Sequence, residues 1–163
     1  MVMKAITYSI RVLTWLIYLV IILSLLITAP MLLGWKPVVV LTGSMEPAYK
    51  VGGLIYYQKT AFENIEVGDA ITFKAGNDSL VTHRVVETDN ISQSFITKGD
   101  SNNTNDNNSV EYVEVAGKTS DVCIPYAGYF ISVFKNLYAI VVMALILLAD
   151  YLLGFARKKK NSE

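Results

Sequence analysis

The chain of 163 residues has one cysteine, one histidine and no net formal charge. Each scarcity excludes something. A single thiol, Cys123, cannot form an internal disulfide, so any domain here coheres through its core or with a partner. No neighbour in the sequence would activate Cys123, and it reads as a small apolar residue rather than a nucleophile. Lys+Arg and Asp+Glu both number 14, which makes no case for a nucleic-acid partner, and none is expected. There is no internal repeat.

Charge is missing altogether between Arg11 and Lys36. Residues 12–35, VLTWLIYLVIILSLLITAPMLLGW, are long enough to cross a bilayer as a helix of ~20 residues. The run is longer than the ~7–15 apolar residues of a cleaved signal peptide, and no A-x-A site ends it. It reads as a retained anchor. A second apolar run covers residues 136–156 and ends at Arg157 and three lysines. Its only charge, Asp150, lies seven residues before Arg157, roughly 10 Å along a helix. That carboxylate either reaches the interface and its cations or contacts a partner helix. With 53% hydrophobic residues and a mean hydropathy of +0.40, membrane residence is expected.

Basic residues near the membrane ends set the orientation. Lys4 and Arg11 precede the first run, and 157–160 follow the second, so both tails read as cytoplasmic. Residues 37–129 carry six basic and twelve acidic residues, a net of −6, and read as translocated. The expected organisation is a cytoplasmic tail (1–11), a transmembrane helix (12–34), an extracytoplasmic β domain (35–129), a second transmembrane helix with its lead-in (130–156) and a basic cytoplasmic tail (157–163).

The middle region has little helical periodicity and many β-branched residues. Segments 35–42, 52–59, 69–75, 80–88, 92–99 and 111–119 read as strands, parted by Gly, Asn and Asp punctuation such as Gly76-Asn77-Asp78. The expected fold class is mainly β: a small antiparallel domain of about 90 residues between the two transmembrane helices. Its low-complexity piece is the apolar-free loop GDSNNTNDNNS, 99–109.

Three features of this region could carry chemistry. In VVVLTGSMEPAYK (38–50), Gly43 and Pro47 put Ser44 on a sharp turn after a strand. The lone histidine, His83, shares a strand face with Val81 and Val85, as a satisfied core histidine would. In the loop, Asp100, Asn102, Thr104, Asp106 and Glu111 fall at calcium-loop spacings, but Asn105 stands where glycine is required. No metal is expected. Serine, histidine and aspartate together form a possible triad, in which a neutral imidazole takes the serine proton and a carboxylate steadies the imidazolium. Spacing alone leaves that open, because triads are defined by geometry.

Four blocks in order decide between these readings: TGSMEP, VGDAITF (67–73), VTHRVV (81–86) and FITKGDSNNTND (95–106). Together they resemble type I signal peptidases of peptidase family S26. The histidine block resembles the branch found in the endoplasmic reticulum, in archaea and in some Gram-positive bacteria; the common bacterial branch has lysine there. The resemblance implies Ser44 as nucleophile, His83 as general base and Asp106 as the triad carboxylate, with Asp100 a second carboxylate in a supporting role. It also implies an oxyanion hole from the Ser44 backbone N–H and the Thr42 hydroxyl. Two departures stand out: Thr42-Gly43-Ser44 replaces the usual Ser-Gly-Ser, and GDSNN replaces GDNN.

The implied function is removal of N-terminal signal peptides from translocated preproteins, cleaving after small residues, without a cofactor. Ser44 is ten residues past Gly34, at most ~35 Å of extended chain from the bilayer surface. The implied partners are preproteins, the lipid bilayer and subunits of a secretion or peptidase complex. The location is the cell membrane, or the endoplasmic-reticulum membrane in a eukaryote. The alternative is a non-catalytic membrane-anchored β domain, a sensor or envelope-assembly subunit.

Overall fold

Alternating β-branched and polar residues place seven strands in one antiparallel sheet. The computed structural model describes residues 2–76, 79–134 and 136–160. Asn77 and Asp78, read above as a turn, and 161–163 of the basic tail lie outside the described residues, as do the side chains of Lys4 and 157–160 used for orientation. The strands are β1 (Lys36–Val39), β2 (Leu54–Gln58), β3 (Ala70–Ala75), β4 (Ser79–Asp89), β5 (Ser94–Lys98), β6 (Val110–Glu111) and β7 (Val115–Thr119). Their order in the sheet is β1-β2-β7-β3-β4-β5-β6.

One expectation is corrected. The single strand read over 111–119 is two strands, β6 and β7, parted by a turn of 3-10 helix at Tyr112–Glu114. A capping box ends the first strand: Glu114 accepts from the Glu111 N–H at 3.2 Å, and the Glu111 side chain reciprocates. The break lets β6 pair with β5 while β7 crosses to lie between β2 and β3.

The sheet has an apolar cluster on each face. Ile71, Phe73, Val85, Phe95 and Val110 gather with Phe62 and Ile65. Ala70, on the opposite face of β3 from Ile71, belongs to a second cluster with Met45, Tyr49 and Ile55. Between strands runs a row of hydroxyls, with Thr72 Oγ1 at 2.8 Å from Thr82 and 2.9 Å from Thr119. Thr72 is fully buried, and these partners satisfy it.

Residues 29–130 form this β unit, and the terminal helices form a second compact unit. In the second, α1 (Val2–Thr28) packs on the C-terminal helix α3 (Leu137–Lys160). A short helix, α2 (Ala127–Phe134), precedes α3. The stretches Ile6–Leu33 and Leu137–Ala156 are each long and apolar enough to cross a membrane. Within α1, Ser24 and Thr28 donate their hydroxyls to the carbonyls of Val20 and Ser24, so these polar groups are met inside the helix.

Candidate active site

Ser44 stands on a turn fixed from both sides. After β1 the chain is extended at Thr42 and then makes one turn of 3-10 helix at Gly43–Met45. The Glu46 N–H donates to Gly43 O at 3.0 Å, and the Tyr49 N–H donates to Met45 O at 2.8 Å. Met45 is 2% exposed and belongs to the second apolar cluster, so its side chain anchors the turn. The Tyr49 hydroxyl donates to Ser120 O at 2.9 Å. Burial, helped by nearby Asp121, pushes its pKa up to about 12, so it remains a donor. With Met45 held inward, Ser44 is left half-exposed at the surface.

His83 faces Ile71 across β3 and β4, with its ring edge-on to Phe73 at 6.3 Å. In the β4–β5 register, Arg84 lies opposite Lys98 and Val85 opposite Thr97. The loop leaving β5 therefore emerges opposite His83. It folds back when the Asp106 N–H donates to Thr97 O at 2.8 Å. His83 Nδ1 then lies 2.6 Å from Asp106 Oδ2, and Nε2 lies 3.2 Å from Ser44 Oγ. A carboxylate can only accept, so Nδ1 carries the proton and Nε2 presents its lone pair to the Ser44 hydroxyl. The imidazole is 12% exposed and Asp106 25%, so water has limited access to this pair. The Thr42 Oγ1 is 3.5 Å from Ser44 Oγ.

Asp100 sits elsewhere. It takes two parallel hydrogen bonds from Arg84, Nε to Oδ1 and Nη2 to Oδ2, both at 2.7 Å. The third branch of the fork, Nη1, donates to Gly68 O at 2.7 Å. The bonds to Asp100 raise the Arg84 pKa above its ordinary value. The calcium spacing therefore does not converge, since Asp100 is held by a guanidinium and Asp106 by an imidazole. No group of three His, Cys, Asp or Glu side chains among the described residues could hold a metal.

Three contributors carried little signal in the sequence. Thr97 donates to Asp106 Oδ2 at 2.6 Å and fixes the carboxylate from behind. Arg84 clamps the loop through Asp100; its only mark was adjacency to His83. Ser101, the inserted residue of GDSNN, donates its N–H to Ser44 O and its hydroxyl to Gly43 O, both at 2.9 Å. A Cβ on Gly99 would meet the same Ser44 carbonyl at 2.7 Å, so only glycine allows this approach. The loop and the Ser44 turn are thus tied through the Ser101 N–H and hydroxyl and through the close approach at Gly99.

Two recesses flank the site. One, about 510 Å³, is lined by Val38, Val40, Thr42 and Ser44 on one side and by Leu80 and Thr82 on the other. Among the described residues, β1 pairs only with β2, and Ser79–His83 pair only with β3, because β5 joins β4 from Arg84 onward. Two unpaired strand edges thus bound this recess. The other, about 490 Å³, lies past the imidazole and is lined by Phe73, Val81, His83, Asp106, Asn108 and Glu111 among others.

A serine, an imidazole and a carboxylate in line beside such a groove suit acyl transfer to serine. Known proteins point the same way. Over 112 residues the chain is 36% identical to the human signal peptidase complex catalytic subunit SEC11C, covering 62% of this chain and 57% of that protein. The chain is similar in sequence to signal peptidases. A second match is signal peptidase I W of Bacillus subtilis strain 168, 36% identical over 94 residues, 52% of this chain and 50% of that one. A third is subunit SEC11 of Metarhizium robertsii, 32% identical over 97 residues, 57% and 56% of the two chains. The chain thus spans about half the length of the curated relatives it matches. No family model matches it. The names bear out the resemblance to signal peptidases and give the non-catalytic alternative no support.

Proposed function

We propose that this protein is a membrane-anchored serine endopeptidase that removes signal peptides from translocated preproteins. The observation that carries the reading is the hydrogen-bonded line Ser44–His83–Asp106, at 3.2 and 2.6 Å, beside a groove with two unpaired strand edges. The region before the cleavage site enters that groove as an added strand and takes backbone hydrogen bonds from both edges. Val38, Val40 and Leu80 line a shallow apolar space that suits small side chains at the positions before the scissile bond.

Ser44 Oγ attacks the scissile carbonyl while His83 Nε2 takes its proton. The oxyanion is met by the Ser44 N–H and the Thr42 hydroxyl. Asp106, steadied by Thr97, keeps the proton on Nδ1 and offsets the charge of the imidazolium. His83 then gives its proton to the leaving amine, and the C–N bond breaks. Water, activated by the same imidazole, releases the signal peptide from Ser44.

The β domain lies on the extracytoplasmic or lumenal face, with residues 1–11 and 157–163 on the cytoplasmic side. A complex with other membrane subunits is part of the proposal, in line with relatives named as subunits of a signal peptidase complex. The test is to incubate the detergent-purified protein with a preprotein and sequence the N-terminus of the product. Cleavage after an A-x-A-like site, absent with Ser44→Ala, is the expected result. An intact preprotein with the wild-type chain, or equal processing by Ser44→Ala, would sink the reading. Topology is checked separately by protease tags at the C-terminus and within 102–108, expected to report opposite sides.

A further inference from the structure

The recess past the imidazole is lined by neither Ser44 nor Thr42. Ser44 and Thr42 line the other recess, whereas His83 and Asp106 wall this one. The direction of proton transfer gives it an occupant. His83 Nε2 must hand a proton to the leaving nitrogen, so that nitrogen lies within hydrogen-bond reach of the imidazole. The chain that begins at that nitrogen leaves along the imidazole side, where this recess opens.

We propose that the recess receives the first residues of the mature chain, just after the scissile bond, and disfavours acidic side chains there. The inference rests on the peptidase reading above. Its floor is apolar, from Phe73 and Val81, which suits an extended chain lying across it. Asn107, Asn108 and Ser109 supply amides and a hydroxyl along one wall. Among the described residues, the charged groups facing it are Lys74, Asp106, Glu111 and Glu114, and the Asp106 charge is matched by the imidazole at 2.6 Å. Glu111 and Glu114 against one lysine leave a net negative rim. Their carboxylates are fixed by the capping box, so the rim is preorganised. A basic or neutral early mature segment is accommodated, and an acidic one is repelled.

The test uses peptides identical through the scissile bond that carry lysine, alanine or glutamate at the second and third residues after it. The readout is kcat/KM at low and high salt. The expected order is lysine, then alanine, then glutamate, with about two- to fivefold per charge at low salt and convergence at high salt. Glu111→Gln with Glu114→Gln keeps oxygen acceptors for the capping box and should flatten the series. Lys74→Glu, which leaves that box untouched, should steepen it. Cleavage of all three peptides at equal kcat/KM overturns the inference while leaving the peptidase reading intact. Failure to cleave any of them overturns both.

Discussion

The loop between β5 and β6 carries an aspartate near each end, and the two have different partners. Asp106 meets an imidazole through one oxygen, which it shares with the Thr97 hydroxyl. Asp100 meets a guanidinium through both oxygens. The side chain is the same; the partner differs. An imidazole can change its charge in a proton transfer, so a carboxylate beside it can respond to that change. A guanidinium does not, so its carboxylate can only hold geometry. On the proposed function, two acids six residues apart thus divide into one for the chemistry and one for the scaffold.

The substitutions that test this division can be ranked. Ser44→Ala sets the floor, with kcat expected to fall by about 10⁶ while the protein still accumulates in the membrane. Asp106→Asn keeps the shape but loses the charge and offers the wrong hydrogen-bond pattern to Nδ1; about 10⁴ in kcat is expected. Thr42→Val removes one oxyanion donor, and kcat should drop by about 10² with little change in KM. Asp100→Asn should cost less than about tenfold in rate but destabilise the fold by roughly 1–3 kcal/mol, because one partner of a charged pair is removed. Thermal melting alongside the assay separates these effects. A folded but inactive Asp100→Asn with a near wild-type Asp106→Asn would reverse the assignment. The smallest effect is expected at Ser101→Ala, a severalfold loss in kcat that Ser101→Thr restores.

Much of this site was legible because it rests on scarcity and alternation. His83 is the only imidazole, and its strand was plain from the β-branched residues around it. Ser44 stood out between Gly43 and Pro47. The apolar runs needed only length and absence of charge. The clamp was not legible, because its bonds run between residues far apart in the chain or end on backbone carbonyls. Ser101 binds the carbonyls of Gly43 and Ser44, and no side-chain pattern encodes that. Arg84 looked like an ordinary outward residue beside a more interesting neighbour. The 3-10 turn at Tyr112–Glu114 was missed because its residues favour strand. Its signal, glutamates at 111 and 114, counts only once the chain is known to bend there.

Gly99 carries a consequence for how this sequence can drift. At Gly99 the loop lies so close that an added Cβ would meet both the Ser44 carbonyl and the Asn102 side-chain amide at 2.7 Å. Residues 103–105 are exposed, and exchange of one polar side chain for another there is expected to leave the span between Ser44 and Asp106 unaltered. A single methyl group at 99 cannot be accommodated without shifting the Ser44 carbonyl. The loop is therefore permissive at its exposed tip and held at Gly99, Asp100, Ser101 and Asp106. In a mutational library the exposed tip would look dispensable, and Gly99, with no side chain at all, would tolerate replacement as poorly as Asp106.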